Sequence, residues 1–147
     1  MAAPMLSDLN WLAIVLAVVW NFVLGFAWYA KQTPTGKVWM KAMNVPADAK
    51  PTPGDMLKGL ILMLVGSVLT MAVLAYLIVA MKQVYDQPLT WMGGLYAGFF
   101  VWLGFYLPLQ LGGMAWERKS GALTAVNAGY HFVSLLVSGI IIAAMSA

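Results

Sequence analysis

Four long apolar runs leave this chain almost no choice of fold. They are Leu9–Ala30, Leu57–Met81, Trp91–Met114 and Leu123–Ala147, and charged side chains occur in them only near an end. A hydrocarbon core of about 30 Å takes about 20 apolar helical residues, so each run is long enough to cross it. Backbone N–H and C=O groups find no partners among acyl chains and must pair within the segment, which selects helices. The runs are continuous rather than alternating, which argues against a strand barrel. Of 147 residues, 63% are hydrophobic and 9% charged, against roughly 25% charged in a soluble domain. A water-soluble globule is excluded, and so is a disordered chain. The expected fold is all-α and one domain over residues 1–147: an integral membrane bundle of four transmembrane helices, with both termini outside and a cytoplasmic loop at 31–56.

Charge placement sets that orientation. With four crossings, the termini and the loop between the second and third spans share one side, whose one basic residue is Lys82. Lys31, Lys37, Lys41, Lys50, Lys58, Arg118 and Lys119 lie on the other side, seven of the eight basic residues. The positive-inside rule makes that side cytoplasmic. Trp11 and Trp91 then fall near the outer ends of spans and Trp28, Trp39 and Trp116 near the inner ends, as interfacial anchors. A cleaved leader fits the first run poorly, since no Lys or Arg precedes it.

Local chemistry marks the boundaries. Ser7-Asp8 is placed to cap the first helix, and Thr52-Pro53-Gly54-Asp55 reads as cap, first-turn proline and first-turn acid. Asp86 or Thr90 starts the third span and Ser120 the fourth. Pro108 lacks an N–H and crowds the carbonyl of Gly104, so a kink is expected there. In the first loop, Gly36–Met43 sets Trp39, Met40 and Met43 apart from Lys37 and Lys41. That pattern suits a short amphipathic helix on the anionic leaflet, or equally an irregular loop held by Trp39. Leu24-Gly25-Phe26 returns as Leu103-Gly104-Phe105, a repeat that chance explains in so Leu- and Gly-rich a chain.

The scarce polar residues within the spans fall into patterns. Thr124, Asn127, His131, Ser134 and Ser138 follow one another by three- and four-residue steps, so all five share one helical stripe. Tyr96, Phe99, Leu103, Tyr106 and Gln110 have the same spacing in the third span, and the first offers Asn21, Gly25 and Tyr29. Polar groups are costly against lipid and should face protein or water. At 1.5 Å per residue His131 lies about 12 Å from the cytoplasmic end of its helix, nearly level with Asn21. A polar cluster of Asn21, Tyr29, Gln110, Asn127, His131 and Ser134 is therefore expected in the inner half. Its two readings are hydrogen-bonded helix packing and a solute pathway; no span offers an internal carboxylate for proton pumping. Gly66, Thr70, Gly94, Gly98 and Ser138 have the small-residue spacing of close helix approach, within the chain or between chains.

Catalytic signatures are missing from the sequence. There is no HExxH, P-loop or GxSxG pattern, and with one His and no Cys no metal site and no cofactor are expected. The basic residues are dispersed along the loops, which gives no support to nucleic-acid binding. These features point to a non-enzymatic protein of the lipid bilayer that works by packing, as a homo-oligomer or an accessory subunit of a membrane complex. The alternative is an oligomeric channel or transporter for a small solute, oligomeric because four helices enclose little space.

Several elements carry a resemblance. Asn10-Trp11-Leu12-Ala13 opens the first span and Leu24-Gly25-Phe26-Ala27-Trp28-Tyr29 closes it. Gly36-Lys37-Val38-Trp39-Met40 follows, and Asn127-Ala128-Gly129-Tyr130-His131 lies at the start of the last. In this order they resemble the bacterial membrane family called domain of unknown function 1761. The resemblance implies four helices in a bacterial cytoplasmic (inner) membrane and no particular activity.

Overall fold

The computed structural model of the chain describes residues 4–46, 48–85 and 90–146. Among these there is no strand. The helices are α1 (Trp11–Trp28), α2 (Pro34–Ala42), α3 (Pro53–Tyr85), α4 (Trp91–Val101), α5 (Leu107–Trp116) and α6 (Gly121–Met145). A π-helical turn, Trp102–Tyr106, joins α4 to α5, so Trp91–Trp116 is one continuous rod. Four helices are long and apolar enough to cross a membrane: Trp11–Trp28, Pro53–Tyr85, Trp91–Trp116 and Gly121–Met145.

The helix starts follow their capping chemistry, with one correction. Asn10, not Ser7-Asp8, caps α1: its side chain accepts from the Ala13 N–H at 3.1 Å. The Asp8 carboxylate is already engaged, accepting from the Met5 N–H at 2.8 Å across the 3₁₀ turn Leu6–Asp8. Thr52 accepts from the Asp55 N–H and donates to the Asp55 carboxylate, which starts α3 at Pro53. Thr90 is the cap residue of α4 and Ser120 accepts from the Leu123 N–H at the head of α6. Asp86, the other candidate start of the third span, and Ala147 lie outside the described residues. Two helices stop on left-handed residues, Asn44 (φ 53°) after α2 and Arg118 (φ 56°) after α5. There the N–H groups of Val45 and Lys119 reach back to the carbonyls of Met40 and Gly113.

The stretch after α1 is helical. Thr33 caps α2, and its hydroxyl donates to the Ala30 carbonyl at 2.7 Å; Thr35 bonds the Trp28 carbonyl. A Cβ on Gly36 would stand 2.0 Å from the Ala30 carbonyl oxygen, so this close fold-back admits only glycine. α2 comes to lie against α6, with Trp39 edge-on to Tyr29 at 5.8 Å and Lys37 and Lys41 exposed.

α6 is the hub, packed on α1, α2, α3, α4 and α5. Its tightest partner is α4, for a steric reason. A Cβ on Gly94 would lie 2.0 Å from the Gly139 carbonyl oxygen, one on Gly98 2.3 Å from that of Leu135, and one on Gly139 2.1 Å from that of Gly94. The glycines thus let two backbones touch inside one chain. Gly66, expected in the same role, is exposed and a Cβ there would meet nothing within 4 Å. The reason is that α3 is packed only from Ser67 onward: no residue of Pro53–Gly66 is buried.

The bundle therefore has two unlike halves. Around the ends of the chain, Ala13, Ile14, Ala17, Val18, Met71, Leu74, Ala75, Ile78, Leu135, Ile142 and Ala143 form a dry core. Asn10 donates there to the Met145 carbonyl at 2.7 Å, and Lys82 to the Ser146 carbonyl at 2.8 Å, gathering the ends of α1, α3 and α6. Leu12, Val15, Val19, Val23, Phe26, Leu62, Val73 and Phe100 are more than half exposed. So many large aliphatics on the outside depart from a water-soluble globule and suit lipid as the surrounding medium. The other half, toward the basic loops, holds a cavity with polar walls.

Candidate functional site: a polar cavity in the loop half

Asn21 on α1 organises the boundary between the halves. Its Nδ2 donates to Ser67 Oγ on α3 at 2.6 Å, and its Oδ1 accepts from Tyr130 OH and Ser134 Oγ on α6, each at 2.6 Å. Tyr130 OH also reaches the Asn21 carbonyl at 3.0 Å. One amide thereby ties three spans, with donor and acceptor matched, which a medium without water demands. On the loop side of this knot lies a cavity of about 420 Å³, lined by residues of α1, α3, α5, α6 and the π turn.

Two hydrogen bonds and a ring stack shape its walls. Tyr29 OH donates to Asn127 Oδ1 at 3.0 Å, and Thr70 Oγ1 pairs with Tyr106 OH at 2.9 Å. The His131 ring lies between Tyr106 and Tyr130, with centroids 4.5 and 5.0 Å away. Gln110 completes the lining. Among the described residues, neither the Gln110 amide nor the imidazole of His131 has a hydrogen-bond partner, and Asn127 has one only at its oxygen. The cavity thus presents spare donors and acceptors, while no Lys, Arg, Asp or Glu lines it. Ser67 accepts from Asn21 and Ser134 donates to it, and among the described residues neither hydroxyl is hydrogen-bonded to the imidazole.

The structure thus places Asn21, Tyr29, Gln110, Asn127, His131 and Ser134 around one cavity. It adds Ser67, Tyr106 and Tyr130. Tyr130 was accessible to spacing, standing three residues after Asn127 and four before Ser134. Ser67 had no periodic signal.

The third-span stripe is broken. Tyr106 and Gln110 line the cavity, but Tyr96 is 51% and Leu103 41% exposed. The π turn is responsible: the Leu107 N–H bonds the Trp102 carbonyl, five residues back. One extra residue in a turn rotates everything beyond it by about 100° relative to an unbroken helix. The wider turn lies just ahead of Pro108, whose ring would crowd the Gly104 carbonyl in a regular helix, and such a turn is itself a usual place for a helix to bend. It also aims Trp102, whose Nε1 donates to the Ala128 carbonyl at 2.9 Å.

The expected anchors divide. Trp11, Trp91 and Trp116 are exposed, whereas Trp28 turns inward: its Nε1 donates to the Val126 carbonyl at 3.1 Å, and its ring stands 3.2 Å from where a Gly129 Cβ would be. Trp39 packs on Tyr29. Thr70 serves by its bond to Tyr106 rather than by its size. Ser138 is fully buried beside the α4 contact, with an unpartnered hydroxyl. Residues of one chain line the cavity, which is partly open.

Residues 12–143 match a family described as Protein of unknown function (DUF1761). No curated protein and no solved structure matches the chain.

Proposed function

We propose that this chain, which belongs to the DUF1761 family, is a multi-pass protein of a bacterial cytoplasmic membrane that binds, and lets pass, a small uncharged hydrogen-bonding group. Its basic loops face the cytoplasm, as the positive-inside rule favours. The observation that carries the reading is the cavity of about 420 Å³ in which Gln110, Asn127 and His131 keep unused hydrogen-bonding capacity. Its volume falls within the 300–1,000 Å³ usual for ligand sites. Bringing a charge into such a chamber is costly without a countercharge, and none lines it, so the group is neutral. The role is binding or passage rather than catalysis, supported by the engagement of both lining serines with Asn21.

The test is flux in proteoliposomes. Shrink–swell light scattering with glycerol and urea is expected to show permeation above that of empty vesicles. His131→Ala is expected to reduce it at least tenfold, while its unfolding in detergent stays within a few degrees of the parent. Permeation no faster than in empty vesicles, or unaffected by His131→Ala, overturns the reading.

A packing role, as homo-oligomer or accessory subunit, draws on one observation: every residue of the Pro53–Gly66 half of α3 is exposed. Gly94 and Gly98 no longer speak for it, because both are used against α6. Mass measurement in mild detergent distinguishes the two, with a monomer expected for the first and a defined assembly for the second.

A further inference from the structure

On the side facing α1, the exposed half of α3 borders the cavity. Beneath the Asn21–Ser67 bond, no side-chain hydrogen bond ties α1 to α3 among the described residues, and every residue of Pro53–Gly66 is exposed. Between these helices runs an apolar groove of about 440 Å³, lined by Phe22, Gly25, Phe26, Trp39, Leu60 and Met63, with Tyr29 at its end. Tyr29 and Met63 line the polar cavity as well, so these two side chains form a wall common to groove and cavity. Gly25 stands at the junction: a Cβ there would already be 3.4 Å from Tyr130 OH and 3.7 Å from Met63 Cε. Trp39 of α2 covers the loop end through its edge contact with Tyr29.

The opposite flank of α3 has a comparable apolar groove, which shares Thr70 and Tyr106 with the cavity. Those two side chains are hydrogen-bonded to each other, so that flank is latched. Beyond the Asn21–Ser67 bond, the α1–α3 flank carries no such bond among the described residues.

We propose that the site takes an uncharged, hydroxyl-bearing lipid with a single alkyl chain, its head in the polar cavity and its chain along the α1–α3 groove. The proposal rests on the reading of the cavity as a binding site for a neutral polar group and names what carries that group. Acyl chains gain little from leaving lipid for a protein groove, since both are equally apolar. The head supplies the selectivity. A hydroxyl in hydrocarbon lacks partners, as do Gln110 and His131 here, and pairing them satisfies both. A phosphate or ammonium head would bring a charge that nothing in the lining balances. The chain serves to guide the head sideways past Gly25.

The experiment uses the full chain in proteoliposomes with a photoactivatable probe, a monododecanoyl glycerol carrying a diazirine on its chain. Dodecane bearing the same diazirine is the control. Cross-linked peptides are mapped by mass spectrometry. Cross-links on Phe22, Phe26, Leu60 or Met63 are expected from the glycerol probe at least fivefold above the dodecane probe. Gln110→Leu and Gly25→Val are each expected to remove that excess, with unfolding in detergent confirming that both variants fold. Equal labelling by the two probes, or an excess that survives both substitutions in folded protein, overturns the proposal: the groove then holds bulk lipid only. Glycerol flux that still depends on His131 in that case preserves the cavity reading, whereas loss of that flux as well removes both. An excess on Leu69, Val73 and Phe105 instead places the entrance on the latched flank and also overturns it.

Discussion

At the scale of the residue, Asn21 carries more of the structure than any other polar side chain. It gives one hydrogen bond to α3 and takes two from α6, in addition to the Tyr130 contact with its carbonyl. Interhelical hydrogen bonds in bilayers average ~0.6 kcal/mol each. Asn21→Ala is therefore expected to destabilise the protein by about 2 kcal/mol through its three side-chain bonds. Asn127→Ala, which gives up a single bond from Tyr29, should lose about a third of that. Unfolding of both variants in mixed detergent micelles measures the difference, and equal losses would contradict it. The residues around the cavity were readable from the sequence where they recur at helical steps, as in Asn127, His131 and Ser134. Ser67 was not, because a lone serine in an apolar run looks the same whether it meets Asn21 or lipid.

At the scale of the element, the π turn decides what the third span presents to the cavity. Gly104 is exposed there, and a Cβ on it would meet nothing within 4 Å. Deleting Gly104 converts the wide turn to a regular one and leaves the residues on either side facing as they do now, because a π turn holds one residue more than a regular turn. The deletion is expected to fold and to keep at least half of the parent's flux. Deleting Ala97 instead swings Trp91–Tyr96 by about 100° and carries Gly94 away from the Gly139 backbone. That variant should fail to yield folded protein, as judged by size-exclusion profile in detergent. The existence and approximate limits of the spans were legible because length and apolarity alone determine them. The rotation within the third span was not: Pro108 announced a disturbance, but not that a turn ahead of it would take up an extra residue. That turn accompanies the bonds of Trp102 to the Ala128 carbonyl and of Tyr106 with Thr70, contacts far apart in sequence.

At the scale of the whole molecule, both ends of the chain gather on one side through Asn10, Lys82, Met145 and Ser146, and the basic loops lie at the other. Single cysteines are easily read because the chain has none of its own. A cysteine at Lys37 or Lys119 is expected to react with an impermeant maleimide only after cells are opened, and one at Ser7 in intact cells. The reverse pattern would invert the assigned orientation. The polar cluster of the loop half was legible from the depths of Asn21, Asn127 and His131, whereas the exposure of α3 ahead of Ser67 was not, since it depends on where that helix leaves the bundle rather than on which residues it contains. The central position of α6 has a consequence for biogenesis. It is the latest of the four spans to leave the ribosome, yet it is the one on which every other helix packs. The earlier spans must wait in the membrane without their common partner, so premature release ahead of Gly121 yields an unassembled intermediate open to membrane proteases rather than a smaller working protein.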